Sequence, residues 1–301
     1  MIVDVNGLTI KYRDLIAVDN ISFQVQEGEI LGIIGPNGAG KTSALECIEG
    51  LRKATSGKML VSGISPENRQ SLYTSIGVQL QEASFPDMIK VEEVCRLFSS
   101  FYSEPTDYNA LLERFNLSEK RKLYVKKLSG GQKQRLSIIV ALIANPKVIF
   151  LDELTTGLDP AARKDMWELI KSMRDEGRTI IMTTHYMEEA EYLCNRVMVM
   201  VKGKIVASGT VKELIEQADI KQRITYNSNE GCKDDLMKID NVSNMQCENG
   251  KTIISGTGKN LLRDVTMYLT SNNIPFENLT NINPGLEDVY FHFTGHLPEV
   301  N

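Results

Sequence analysis

Gly35-Pro36-Asn37-Gly38-Ala39-Gly40-Lys41-Thr42 follows the pattern G-x-x-x-x-G-K-[ST]. Three glycines in six residues let the backbone turn tightly and face its N–H groups inward, onto a chain of phosphates. Lys41 is spaced to reach the outer phosphates, and the Thr42 hydroxyl can join the shell of a Mg²⁺ ion. Ser43 follows in a helix whose positive N-terminus favours anions. The second chemical signal is Val148-Ile149-Phe150-Leu151-Asp152-Glu153, four apolar residues ending in two carboxylates. Such a strand surfaces at its C-terminal edge, where α/β sheets bind ligands. There Asp152 can hold Mg²⁺, directly or through water, and Glu153 can polarise a water aimed at phosphorus. Alone this pair is a weak signal; about a hundred residues after a phosphate loop it is a strong one. The third is Leu128-Ser129-Gly130-Gly131-Gln132, a hydroxyl and two glycine amides at a helix start, which can cup a terminal phosphate.

The elements that must hold these residues are also patterned. Residues 2–34 alternate like antiparallel strands at Ile2–Val5, Leu8–Tyr12, Ile21–Val25 and Glu29–Ile34, with turns at Gly7 and Glu27-Gly28. The phosphate loop and its helix run to about Gly50, and strands follow at Gly57–Val61 and Ser75–Gln79. Helical spacing covers Lys90 to about Val125, and Ser129 is an N-cap for a helix over Gln132–Ala144 that Asn145-Pro146 stops. Strand and helix then alternate through 148–151, 161–175, 179–183 and 187–194, ending in a hairpin across Lys202-Gly203. The expected fold is α/β: a P-loop NTPase core with a parallel sheet, an antiparallel β appendage and a helical insert at about 84–144. Composition turns polar near Gln217–Lys221, which divides the chain into a domain at 1–220 and a small α+β domain at 221–301. The latter shows weak strand signals at Gln222–Tyr226 and Thr252–Ser255, a helix over Asn260–Leu269 and a last apolar run, Leu286–Phe293.

With Leu128–Gln132 between the loop and the acidic strand, residues 2–220 resemble the ATP-binding subunits of ATP-binding-cassette (ABC) transporters. The resemblance implies an ABC-type core, ATP and Mg²⁺ as ligands, and hydrolysis coupled to transport. It implies that Gly35, Pro36, Asn37, Gly38, Ala39, Gly40, Lys41, Thr42 and Ser43 hold the phosphates of one ATP. Ser129, Gly130, Gly131 and Gln132 then serve the ATP of a second subunit, with Asp159 of Gly157-Leu158-Asp159-Pro160 in the family's D-loop. His185, after Thr183-Thr184, matches the switch histidine at the γ-phosphate, and Tyr12 the aromatic that stacks on adenine. Gln81 matches the glutamine that senses Mg²⁺ and contacts the membrane partner; Gln79, two residues away on the same strand face, is the competing register. The implied catalytic set is Glu153, His185, Lys41 and Gln81, and the metal set Thr42, Gln81 and Asp152. One departure is Leu154, where the family usually has a proline that stiffens the turn; leucine is expected to loosen the segment into Thr155-Thr156.

The ending Pro284-Gly285-Leu286-Glu287-Asp288-Val289-Tyr290, with Phe293-Thr294-Gly295, is similar to that of ATPases serving ABC-2-type bacterial exporters, the drug and antibiotic-resistance group. The run Thr184-His185-Tyr186-Met187-Glu188-Glu189-Ala190-Glu191 resembles the same group. This implies a homodimer closed by ATP, a separate integral-membrane permease, and a cytoplasmic, peripheral place on the inner face of the membrane.

The bulk numbers agree with that class. A net charge of −5 over 301 residues gives no basic field for nucleic acid, so no nucleic-acid partner is expected. The alternative, a soluble ABC ATPase acting on a nucleic-acid or ribosomal partner, usually brings coiled-coil inserts or tandem cassettes, and the sequence has neither. A regulatory module that barely turns over ATP is disfavoured by Glu153 and His185. The start of the chain lacks the basic region of a signal peptide, and the longest apolar run, Ile138 to Ala144, is too short to span a bilayer. Five scattered cysteines, without a C-x-x-C pair, read as free thiols. His292 and His296 have no context that assigns them a role.

Overall fold

A computed structural model of the protein describes residues 1–79, 85–228, 234–248 and 250–295. The chain forms two compact units, one from Met1–Val211 with the tail from Phe293, the other from Lys212–His292. The division precedes the expected 220/221 boundary because the shift to polar composition lags behind the change in contacts.

The first unit opens with β1 (Val3–Tyr12) and β2 (Leu15–Val25), followed by β3 (Ile30–Ile34), α1 (Lys41–Ile48), β4 (Ser56–Val61), α2 (Arg69–Leu72) and β5 (Ile76–Gln79). The helical insert holds α3 (Val91–Ser99), α4 (Tyr108–Arg114) and α5 (Gly130–Leu142). Then come β6 (Val148–Asp152), α6 (Pro160–Asp175), β7 (Thr179–Thr183), α7 (Met187–Leu193), β8 (Arg196–Val201) and β9 (Lys204–Gly209). A six-stranded sheet runs β5-β6-β7-β3-β8-β9, parallel except for β9, and a separate antiparallel sheet runs β2-β1-β4. Alternate residues of the parallel strands enter two cores. Ile149 and Leu151 pack with the helices of the insert and with α6, whereas Val148 and Phe150 pack with α1 and the antiparallel sheet. Burial on both faces makes these strands continuous apolar runs.

Two local expectations change. Gly7 does not turn the chain: β1 continues through it, paired with β2 on one side and β4 on the other, and absorbs it as a register shift between Val5 and Leu8. The stretch from Lys90 to Val125 is two short helices and two 3-10 turns, since Ser103–Thr106 interrupts the helical spacing.

After α8 (Val211–Gln217), the second unit contains β10 (Gln222–Asn227), β11 (Val242–Glu248), β12 (Lys251–Gly256), α9 (Leu261–Ser271) and β13 (Glu277–Ile282), and α10 (Leu286–Thr294) follows. Its antiparallel sheet has the order β11-β12-β10-β13. Ile224, Tyr226 and Ile254 pack with Leu261, Val265 and Leu269 of α9. Cys47, Cys95 and Cys194 are free thiols, but Cys247 is disulfide-bonded, against expectation.

Candidate functional site

β3 delivers the chain into the phosphate loop, and α1 begins at Lys41. Gly40 has φ +97°, and a β-carbon there would run into the carbonyl of Ala17, so no other residue fits. Lys41 is buried, and its Nζ donates to the carbonyls of Gly35 (2.7 Å) and Pro36 (3.2 Å), which keeps the cation inside the loop. Ser43, the third residue of α1, shares a 3.1 Å hydrogen bond with the Tyr12 hydroxyl at the end of β1.

The strand register brings the acidic pair to the switch segment. β7 lies between β6 and β3, and Asp152 is the register partner of Thr183. The Thr183 hydroxyl donates to Asp152 Oδ1 and accepts from the Glu153 N–H at 3.1 Å. One hydroxyl thus fixes both acids. Burial pushes the Asp152 carboxyl above its ordinary range, with hydrogen bonds from Thr183 and Thr42 opposing. A buried carboxylate joined to a loop threonine, with Lys41 nearby, suits a hard cation. Mg²⁺ takes few protein ligands and keeps its other positions for phosphate and water, so Thr42 and Asp152 fit it.

His185 Nδ1 stands 3.6 Å from Glu153 Oε2. The imidazole holds the Glu153 carboxyl below its ordinary range, against the opposing effect of burial. His185 Nε2 is buried without a hydrogen-bond partner. An unpaired nitrogen in this place fits an added acceptor such as a phosphate oxygen. Glu153 itself has φ +47°, a costly conformation for a glutamate. A proline after it would restrict its backbone further, and Leu154 lifts that restriction.

Leu154 does not loosen the segment. It is buried in the core, and the Thr156 carbonyl accepts a 3.1 Å hydrogen bond from Gln134 Nε2 of α5. Packing replaces the rigidity that proline would have supplied.

Ser129, Gly130, Gly131 and Gln132 form the start of α5, which packs on β5, α3 and α4. Ser129 and Gln132 cap each other: Ser129 Oγ accepts from the Gln132 N–H (3.3 Å), and Gln132 Oε1 accepts from the Ser129 N–H (3.0 Å). Asp159 caps α6 by accepting from the N–H groups of Ala161 and Ala162. Gln81 lies outside the described residues; Gln79, the last residue of β5, is buried.

Three supports of the site carry no motif of their own. Thr183 was only a flank of His185, although a threonine closing a buried strand beside two acids is a usable signal. Glu189, in a charged run that looks solvated, is fully buried and accepts a 2.9 Å hydrogen bond from Trp167 Nε1. Arg163 lies 3.9 Å over the ring of Tyr186, which meets the His185 ring at a tilt of 41° and 4.1 Å between centroids. No pattern in the chain announces that pairing.

The chain is similar to known proteins. Residues 18–156 match the family described as ABC transporter. The Nod factor export ATP-binding protein I of Neorhizobium galegae is 38% identical over 222 residues, covering 72% of this chain and 64%, just under two thirds, of that one. Its namesake from Burkholderia thailandensis is 39% identical over 220 residues, 71% of this chain and 72% of that one. A probable multidrug ABC transporter ATP-binding protein of Escherichia coli is 36% identical over 223 residues, 72% of this chain and 38% of that one. A solved ATP-binding cassette of an ABC transporter in its ADP conformation has a TM-score of 0.64 at 26% identity, covering 72% of this chain and 94% of that one. Identity of 39% with a relative covered over 72% of its length, on a site of this geometry, makes the chain a member of the ABC transporter family, one of its ATP-hydrolysing subunits.

Proposed function

We propose that the chain is the ATPase subunit of an ABC-2-type exporter, bound to a separate permease on the cytoplasmic face of the membrane and serving drugs, antibiotics or related compounds. The observation that carries this reading is an apolar patch on the helical insert. Phe85, Phe98 and Phe101 form an edge-to-face cluster, and Phe101, Leu97 and Met88 are exposed. Exposed apolar patches of this kind mark partner surfaces. No helix among the described residues is long and apolar enough to cross a membrane. The relatives' names, one speaking of Nod factor export and the other of a multidrug transporter, add support.

In this reading the loop amides and Lys41 hold the phosphates of ATP and stabilise charge on the transferred group. Thr42 and Asp152 hold Mg²⁺, which neutralises phosphate charge when bound. Glu153 aligns the attacking water and draws on its proton, and His185 Nε2 donates to the γ-phosphate. Thr183 keeps both acids in place. Ser129, Gly130, Gly131 and Gln132 act on the ATP of a second copy, with Asp159 beside them; Gln81 links the site to the permease; Tyr12 stacks on the base.

The test is co-expression with a membrane protein encoded beside this one. The parent should sediment with membranes only when that protein is present. Phe101→Glu should release it while leaving ATP affinity unchanged. A parent that stays in the soluble fraction in both cases would sink the proposal.

A further inference from the structure

Tyr12 does not stand alone at the base site. Beyond α1 the chain reverses at Gly50, where φ is +73° and a β-carbon would lie 2.7 Å from the Pro66 carbonyl. The Arg52 N–H then donates back to the Glu46 carbonyl at 2.9 Å. This sends the Arg52 side chain along α1 toward β1. Arg52 Nε meets Glu46 Oε2 at 2.6 Å, and its guanidinium carbon lies 4.9 Å from the centroid of the Tyr12 ring. Thr55 ties the same segment to β1 twice: its N–H donates to the Thr9 carbonyl, and its hydroxyl accepts from the Lys11 N–H, both at 2.9 Å. The Tyr12 hydroxyl is held by Ser43 at 3.1 Å. The ring is therefore fixed at its edge and occupied by a cation on one face, yet Tyr12 remains 36% exposed.

We propose that Arg52 is a positioning residue of the base site: clamped by Glu46, its guanidinium backs one face of Tyr12 and leaves the other for adenine. This rests on the adenine role assigned to Tyr12 above. The chemistry is directional. A cation over one face of a phenol draws π density toward itself. The opposite face becomes a better stacking surface for an electron-rich purine. The planar guanidinium also stops the ring from turning away, so less freedom is lost when a base binds. Glu46 keeps the fork on the ring rather than in solvent.

The experiment is an equilibrium titration of ATP and of inorganic triphosphate with the full-length protein. Arg52→Ala should weaken ATP about three- to fivefold, the range of one partly exposed cation–π contact, and leave triphosphate unchanged. Arg52→Lys should recover part of the loss, and Glu46→Gln should show a smaller loss of the same kind. Arg52→Ala added to Tyr12→Ala should weaken ATP no further than Tyr12→Ala alone, a non-additivity that a merely structural role does not produce. Equal weakening of ATP and triphosphate overturns the proposal. Tighter ATP binding by Arg52→Ala also overturns it, since Arg52 would then sit on the face the base needs. If Tyr12→Ala weakens ATP and Arg52→Ala does not, only this inference fails. If Tyr12→Ala leaves ATP untouched, the adenine reading fails and this one with it.

Discussion

The two units bury their sheets in different ways. In the first, β3, β6 and β7 are buried at every position, because packed elements cover both faces. In the second, β11 and β13 contain no fully buried residue, and the core rests on β10, β12 and α9. A strand covered on both faces has no side for polar chemistry, so its functional groups gather at the end. There Asp152 meets Thr183, and the phosphate loop leaves β3. A strand with an open face spends its polar residues on solvent. Every candidate phosphate-handling residue accordingly lies in the first unit.

Lys41→Ala offers the largest break in that comparison. The loop would lose its buried cation among several phosphate charges, and ATP affinity should fall at least about a hundredfold, as a lost charge-assisted contact of roughly 3 kcal/mol implies. Titration with labelled ATP measures it. Unchanged affinity would move the site out of the first unit.

Glu153→Gln comes next. The substitution keeps the size and removes the charge, so ATP should bind normally while turnover drops about a hundredfold or more, the worth of a general base. In the proposed reading Ser129 serves the ATP of a second copy, so a complete site calls for a second chain. Light scattering should therefore show ATP-driven dimers of Glu153→Gln, and adding Ser129→Arg should weaken them. A variant that stays monomeric at saturating ATP, with parent turnover independent of protein concentration, argues for a site complete within one chain.

The same contrast in burial decided what the sequence could reveal. Val148–Leu151 was legible because two-sided burial leaves an unbroken apolar run, and the loop because few sequences put three glycines before Lys41-Thr42. β11 and β13 were missed: Val242-Ser243-Asn244-Met245-Gln246 and Glu277-Asn278-Leu279-Thr280-Asn281 carry too few apolar residues to show a period. Those strands exist because β12 and β10 offer them backbone partners. Long-range pairing decides them, and no local pattern encodes it. Glu189 failed for a related reason. Its charge reads as a solvent face until α6 brings Trp167 to it.

A smaller effect sharpens the picture of the first unit's interior. Glu49, just past α1, is buried, and burial, followed by the charges of Asp152 and Glu46, pushes its carboxyl up from 4.5 to about 8. The folded value lies above the unfolded one, so the group's contribution to stability is complete below 4.5 and is lost as pH rises through about 8. Glu49→Gln removes that loss. It should melt about 5 °C above the parent at pH 8, with the gap closing toward pH 5. Calorimetry at both values is sufficient. A gap independent of pH would assign the gain to packing.

The smallest expected effect tests the comparison most directly. A chain ending at Gln217, after α8, lacks the second unit's sheet, α9 and α10 but keeps every strand of the first unit. The candidate phosphate and base residues all precede residue 186, and the groups that hold them do as well: Thr183 on Asp152, Ser43 on Tyr12, and the register of β6, β7 and β3. The second unit has its own core around Ile224, Tyr226 and Ile254, so removing it strips none of those contacts. ATP affinity of the shortened chain should stay within about twofold of the full chain, less than RT ln 10. Circular dichroism first establishes that the shortened chain is folded, and the ATP titration follows. A folded chain that binds ten times more weakly would mean that the second unit shapes the nucleotide site, and the separation of chemistry from the half-covered sheet would no longer hold.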